Sequence, residues 1–301
     1  MVLTHNADVS GSTRLFAVLG SPIAHSLSPL IHNTSFAHLG IDADYRAFEV
    51  TAERIGEAME DIRTLGITGC NLTMPLKRAV LPYLDGLSPA AELVGAVNTI
   101  ERDGERLIGH NTDGGGMTRS IREAGGQISG ARVVIAGAGG AALAICAQLG
   151  LEGPAHVSVL KRANETFAAA SEEIERLAQA TDCSMSLVDW GNSGAVSKEV
   201  SSADILINAT PIGMGEKSES SPFVADDLRE GQFVADAVYH PRMTRLLREA
   251  SDRGTIPVEG IGMLLWQALL AEEIWLGDEL AASGKQITAE PILPVLSSAG
   301  L

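Results

Sequence analysis

Four short stretches of this 301-residue chain gather hydroxyls, amides, one ammonium and one carboxylate. Ser21, Ser26 and Ser28 crowd one stretch that ends at Pro29, with His25 among them. Asn71, Thr73 and Lys77 form the second, and Asn98, Thr99, Asn111, Thr112 and Asp113 complete the set. A polyhydroxylated carboxylic acid calls for this mixture: serine and threonine hydroxyls bind its carboxylate, and asparagine donates to and accepts from ring hydroxyls. Lys77 adds a reactive capability. Reducing a ketone requires a proton for the developing alkoxide and a positive group to stabilise it, and one ammonium does both. Desolvation lowers a lysine pKa while a nearby carboxylate opposes that shift. Asp113 therefore suits the part of orienting Lys77, accepting a substrate hydroxyl and sharing the proton in a coupled titration. Lys77 is one of only five lysines, so its place beside Asn71 and Thr73 is hard to read as chance solvation.

A second chemistry sits further along. The β-branched run 132–136 leads directly into Gly137, Gly139 and Ala142, a G-x-G-x-x-A spacing, and then into a helical pattern reaching Leu149. Such a turn lets backbone approach a pyrophosphate, while the helix start offers unpaired N–H groups and about half a positive charge. About 20 residues on, an NAD site places an acid for the ribose hydroxyls. Here Lys161 and Arg162 stand at the strand end, with no acid until Glu165. Two cations attract a 2′-phosphate and an acid would repel it, so the reading is NADP(H) over NAD(H).

The elements that must hold these groups alternate. Strands are expected at 15–19, 44–50, 67–72 and 97–100, with helices at 29–39 and at 52–65, the latter capped by Thr51. Strand–helix–strand repetition implies parallel pairing and a buried sheet. Strands at 132–136, 156–160, 204–208, 233–238 and 255–258, with a helix at 166–180, build a second unit, and 216–221 is a surface loop. The helical pattern from Ile261 onward is expected to return to the first unit. The fold class is α/β with two domains: an N-terminal α/β substrate domain of residues 1–113 with 261–301, and a Rossmann-like doubly wound NADP domain of residues 114–260. At about 150 residues per domain, the length agrees.

Composition narrows the partners. Lys plus Arg is 22 against 38 Asp plus Glu, a net charge of −16. That argues against a sequence-independent nucleic-acid binder but not against a small anionic ligand in a locally cationic pocket. Cys70, Cys146 and Cys183 are scattered, with no metal-ligand spacing and the wrong parity for a disulfide framework, and read as reduced thiols. No metal is expected. Residues 1–13 lack the basic and apolar regions of a signal peptide, and 261–271 is too short to span a bilayer. A soluble, cytoplasmic protein is expected, as monomer or homodimer. His25 and His32 read as structural, His110 and His240 as neighbours of the site, and Trp266 and Trp275 as core.

The motifs S-x-S-P at 26–29, N-x-T-x-P-x-K at 71–77, G-A-V-N-T at 95–99 and N-T-D-G at 111–114 closely resemble the shikimate dehydrogenase family. G-A-G-G-A at 137–141, N-A-T at 208–210 and G-x-G-M-L-x-x-Q at 260–267 follow in the same order. The segments around Cys183, Leu206 and Leu247 look like its quinate/shikimate dehydrogenase branch, in which Asp often fills the ribose-binding turn; here Asn164 takes that place. The resemblance implies reversible reduction of 3-dehydroshikimate to shikimate with NADPH, in aromatic amino acid biosynthesis. It implies Lys77 and Asp113 as the catalytic pair and Ser26 and Ser28 on the substrate carboxylate, with Tyr239 facing that group. Thr73, Asn98 and Gln267 would hold ring hydroxyls, with Asn71 nearby. Cofactor binding would fall to Gly137, Ala138, Gly139, Gly140, Ala141, Lys161, Arg162, Asn164, Thr210, Val238 and Gly260. The alternatives are a quinate/shikimate dehydrogenase using NAD(H) and a non-catalytic shikimate- or quinate-sensing homologue.

Overall fold

The computed structural model describes residues 10–300; the segment 1–9, part of the N-terminal stretch read as no signal peptide, lies outside them. The chain divides into two compact units, one of Met1–Thr112 with Ala268–Gly300 and the other of Asp113–Gln267.

The first unit runs β1 (Arg14–Gly20), α1 (Ser28–Leu39), β2 (Ala43–Glu49), α2 (Ile55–Leu65), β3 (Gly69–Leu72), α3 (Leu76–Ala79), β4 (Gly86–Leu87), α4 (Pro89–Val94), β5 (Thr99–Asp103) and β6 (Arg106–His110). Its sheet has the order β2-β1-β3-β5-β6-β4. β1 lies parallel to β2 and β3, because helices α1 and α2 carry the chain back between them, the connection that parallel strands need. The expectation of a wholly parallel sheet does not hold. β5 is antiparallel to both β3 and β6, since β5 and β6 are joined by a two-residue turn that leaves no room for a crossover. The expected strand at 97–100 is the start of that hairpin, and β6, with Ile108 its one β-branched residue, has too weak a pattern to stand out.

Both faces of the sheet are covered. Phe16 and Val18 of β1 pack with Phe36, Tyr45, Leu276 and Leu280 on one side. Ala17 and Leu19 pack with Met59, Ile62 and Leu76 on the other, the alternation that a pleated strand imposes. α1 starts at Ser28 with Pro29 in its first turn and ends at Gly40. Thr51 does not cap a long helix; it precedes a single 3₁₀ turn, Ala52–Arg54, without a side-chain cap bond.

The second unit runs α5 (Asp113–Glu123), β7 (Arg132–Ala136), α6 (Gly140–Glu152), β8 (His156–Lys161), α7 (Phe167–Thr181), β9 (Met185–Asp189), α8 (Ser193–Ser202), β10 (Ile205–Asn208), β11 (Phe233–Asp236), α9 (Arg245–Asp252) and β12 (Ile256–Val258). Its sheet order, β12-β11-β10-β7-β8-β9, is parallel throughout. Strand succession reverses between β7 and β10, the crevice where doubly wound sheets hold ligands at their carboxyl ends. β9 was not expected: every residue of it is half-buried, so it lacks the buried apolar run that marks its neighbours. A 24-residue helix, α10 (Gly260–Ser283), continues through the division of the chain, and α11 (Leu293–Ser298) ends it. The sequence-based boundary at 260/261 marks the start of that helix, whereas the division falls inside it, at 267/268. Among the described residues no helix is long and apolar enough to cross a membrane. All three cysteines are unbridged and buried, and burial pushes the Cys70 and Cys146 thiols up to about 12.

A buried carboxylate ties the carboxyl end of the second sheet together. Asp236, the last residue of β11, accepts hydrogen bonds from Asn208 Nδ2 at 2.9 Å, Val238 N–H at 2.9 Å and Thr244 Oγ1 at 2.7 Å. Burial raises its pKa above the ordinary carboxylate value, although the three hydrogen bonds favour the charge. The folded state therefore holds this proton more tightly than the unfolded chain, and stability from Asp236 is lost as pH rises through its raised pKa. In urea titrations across pH, the stability advantage of the wild type over Asp236→Asn should shrink as pH rises from the acid side. An advantage that grows with pH would contradict this assignment.

Candidate active site

Within the first unit the polar residues converge on the carboxyl end of β1 and β3. Gly20 ends β1, and a Cβ there would lie 2.3 Å from Thr73 Cγ2. Only a glycine lets the 26–28 loop leave β1 against the turn that carries Thr73. That turn is anchored by Thr73 N–H to Leu19 O at 2.9 Å and by Ser21 N–H to Met74 O at 3.0 Å. Lys77, half-buried, follows in the first turn of α3, and its carbonyl accepts Val97 N–H at 2.8 Å. Ser28 opens α1, and its N–H donates to Ser26 Oγ at 3.3 Å.

Beneath them runs a directed chain of hydrogen bonds. Tyr45 Oη donates to Asn71 Oδ1 at 2.7 Å, and Asn71 Nδ2 donates to Thr99 Oγ1 at 2.9 Å and Asn98 O at 3.1 Å. Thr99 Oγ1 donates to Asn98 Oδ1 at 3.0 Å, which also takes Thr112 N–H at 2.9 Å. Asn98 Nδ2 donates to Thr112 Oγ1 at 2.9 Å. Asn71, Asn98, Thr99 and Thr112 are all buried. Both amide hydrogens of Asn71 are engaged, so this side chain offers a ligand an acceptor lone pair and no donor. Asn111 Nδ2 is turned to Ala96 O at 3.0 Å and serves the backbone. Asp113 is the next residue after Thr112 and the first of α5.

The histidines divide as their settings dictate. His32 is fully buried, with Nδ1 2.7 Å from Glu272 Oε1. His110 reaches Glu101 across the β5–β6 pair at 2.9 Å, so its ring is engaged by the sheet. His25 and His240 are exposed. Among the described residues no group of three or more His, Cys, Asp or Glu is gathered to hold a metal.

In the second unit, the turn after β7 and the N-A-T segment after β10 meet at the reversal of strand order. Gly137 has φ +105°, and a Cβ would lie 2.8 Å from Thr210 Cγ2; no other residue fits there without strain. Thr210 is held by Asn208, whose Oδ1 accepts Thr210 N–H at 3.1 Å and Thr210 Oγ1 at 2.7 Å. Gly139, the N-cap of the 13-residue α6, and Gly140 are exposed, and a Cβ on either would meet nothing within 4 Å. Neither is demanded by packing, and both leave the helix start bare. That is the cradle a pyrophosphate needs, and it passes as a fit for a dinucleotide.

At the end of β8, Lys161 Nζ donates to Thr166 Oγ1 at 2.7 Å, and Asn164 Oδ1 accepts from the same threonine's N–H at 3.2 Å and hydroxyl at 3.0 Å. Lys161 is thus folded over its own turn, while Arg162 is exposed. An acid does reach this turn, from outside the local sequence: Asp189 Oδ1, at the end of β9, accepts Ala163 N–H at 3.1 Å and Gly191 N–H at 2.9 Å. Sequence spacing could not find it, because it arrives on the adjacent strand. Gly260 lies against the end of β11, where a Cβ would sit 2.3 Å from Val238 O. Val238 is buried and Tyr239 exposed, and Gln267 Nε2 donates to Leu264 O at 3.0 Å.

Comparison with known proteins adds independent findings. Residues 18–100 match the family described as shikimate dehydrogenase substrate binding domain. The shikimate dehydrogenase (NADP(+)) of Listeria monocytogenes is 42% identical over 273 residues, 90% of this chain and 94% of its own. A crystal structure of shikimate 5-dehydrogenase from the same species, in complex with shikimate and NAD, aligns with a TM-score of 0.89 at 40% identity, covering 96% of this chain and 98% of that one. A ligand-free 5-ketofructose reductase of Gluconobacter aligns with a TM-score of 0.84 at 30% identity, covering 96% of this chain and all of that one (100%).

The Gly20 contact has a measurable consequence. Gly20→Ala should cost about 1–3 kcal/mol in urea unfolding, the usual range for overpacking, and should weaken binding of an acidic polyol while dinucleotide binding is unchanged. Unaltered stability together with unaltered polyol binding would show that the approach of β1 to Thr73 is not tight.

Proposed function

The chain belongs to the shikimate dehydrogenase family, and from that premise we propose that it reversibly reduces 3-dehydroshikimate to shikimate with NADPH. The observation that carries the reading is the first unit's hydrogen-bonded floor of Asn71, Asn98, Thr99 and Thr112, with the Lys77 backbone fastened to its edge through Val97. It combines the groups that a ring of hydroxyls requires with the one cation that a ketone reduction requires.

Ser26 and Ser28 bind the substrate carboxylate, helped by the partial positive charge at the start of α1, where Ser28 sits. Thr73 and Asn98 hold ring hydroxyls, Asn71 accepts from one, and Gln267 and Tyr239 complete the binding of ring and carboxylate. When bound, the reduced nicotinamide supplies the hydride. Lys77 gives a proton to the oxygen that becomes the new hydroxyl and stabilises its negative charge while it forms. The family resemblance gives Asp113 the part of acid–base partner to Lys77, accepting a substrate hydroxyl; in the reverse direction the pair takes the proton back. The dinucleotide is held by Gly137, Ala138, Gly139, Gly140 and Ala141 at the start of α6, with Thr210 beside them. Arg162 carries the 2′-phosphate, supported by Lys161 and Asn164, and Val238 and Gly260 border the nicotinamide end. The NAD(H)-linked quinate reading and the sensor reading are not favoured: the curated relative is named for shikimate and NADP(+), and the acid–base pair and the bare helix start are both retained.

Following absorbance of the reduced nicotinamide over shikimate or quinate with NADP or NAD tests the reading. The highest kcat/KM is expected for shikimate with NADP, and no turnover of shikimate would refute it. Lys77→Ala should lower kcat at least about a hundredfold with cofactor affinity retained; near-normal turnover would place the proton donor elsewhere. Arg162→Gln should raise KM for NADP about tenfold, the scale of one charge-assisted hydrogen bond, and leave KM for NAD unchanged. Equal effects on both cofactors would remove Arg162 from the 2′-phosphate.

A further inference from the structure

Asn71 can act as an acceptor only while its amide keeps one orientation, and the residue that satisfies its oxygen belongs to none of the site motifs. Tyr45 lies on β2, the edge of the first sheet. In register it pairs with Phe16 of β1, and Val18 of β1 pairs in turn with Asn71 of β3. The phenol therefore reaches past β1 to place its hydroxyl 2.7 Å from Asn71 Oδ1.

Tyr45 is fixed from every direction. On the open side of β2, Asn33 of α1 takes the place of a missing strand: its Nδ2 donates to Tyr45 O at 3.0 Å, and its Oδ1 accepts Tyr45 N–H at 2.9 Å. The ring is fully buried and stacks on His32, with centroids 4.2 Å apart and planes 19° from parallel. His32 is held by Glu272 of α10, whose second oxygen accepts Ser35 Oγ at 2.5 Å. His32 and Glu272 are both completely buried, and neither has a part in the proposed reaction. Burial keeps the phenol protonated, well above its ordinary titration range, and Ser28 stands beside it as a hydrogen-bonding neighbour. The hydroxyl is thus a permanent donor next to both arms of the carboxylate and hydroxyl site.

We propose that Tyr45 is a positioning residue for substrate binding: its hydroxyl sets Asn71 as a hydrogen-bond acceptor, and the Glu272–His32 pair holds the phenol in register. The assignment of a substrate to Asn71 rests on the function proposed above; the Tyr45–Asn71 coupling itself does not. Removing the hydroxyl leaves Asn71 Oδ1 facing an apolar ring edge. A buried acceptor without its donor is costly, and the amide relaxes away from the pose that a substrate hydroxyl meets.

Tyr45→Phe keeps the ring and its stack on His32, so it separates positioning from packing. We expect KM for shikimate to rise about five- to tenfold, the scale of one hydrogen bond, with kcat within about twofold and KM for NADP unchanged. In an Asn71→Ala background, Tyr45→Phe should change KM for shikimate no further. In the ligand-free protein, the side-chain amide signals of Asn71 should shift in the nitrogen-correlated NMR spectrum of Tyr45→Phe. A variant that only loses thermal stability, or one whose KM effect persists unchanged without Asn71, overturns the proposal. If the wild type does not turn over shikimate at all, the proposed function falls, and the Asn71 amide signals still decide the coupling: unmoved signals refute it.

Discussion

The first unit is organised around the Asn71 carboxamide. Its oxygen is satisfied from β2 and its two hydrogens from β5 and the residue before it, so one side chain stitches three strands of a mixed sheet at their shared end. Where a hydroxyl of this chain meets an amide oxygen it must donate, as Tyr45 does to Asn71 and Thr99 to Asn98, whereas the Thr99–Thr112 contact at 3.4 Å can run either way. Buried polar networks are worth their desolvation only when every member is paired, and this one is paired throughout. The benefit is geometric: the polar side chains at this end of the sheet are held in fixed orientations, and Lys77 is tied to the same scaffold by its own carbonyl.

The second unit solves a different problem with opposite means. A dinucleotide needs close backbone approach and a bare helix end rather than a lattice of side chains. The turn after β7 supplies both, with Gly137 packed against Thr210 and open space where a Cβ on Gly139 or Gly140 would stand. The side chains that do matter there are tied back into the protein. Asn208 and Asp236 hold Thr210 and the start of α9, and Asp189 holds the turn that follows β8. Two carboxylates thus lie near a site read as cationic, yet both are engaged by backbone or neutral donors, while Arg162 and Glu165 are exposed at the turn after β8.

Much of this was legible in the sequence, for physical reasons. Glycine spacing reports backbone geometry directly, so the turn after β7 and the parallel second sheet could be read from a β-branched run followed by glycines. The clusters at Ser26, Asn71 and Asn98 could be read because small polar residues at strand ends have few other uses. What escaped was whatever depends on pairing across the sheet. The antiparallel β5–β6 hairpin, the half-buried β9, the carboxylate of Asp189 on an adjacent strand and the phenol of Tyr45 two strands from its partner all require register, which local pattern does not carry. The continuity of α10 likewise could not be seen, since an apolar helical run shows where a helix lies and not where a domain ends.

Crystals of the protein with shikimate would test the central claim most directly. A ring hydroxyl should lie within hydrogen-bond distance of Asn71 Oδ1, with the hydroxyl that becomes the ketone against Lys77 Nζ and the carboxylate against Ser26 and Ser28. A ring bound away from Asn71, or turned so that its carboxylate meets Lys77, would contradict the account.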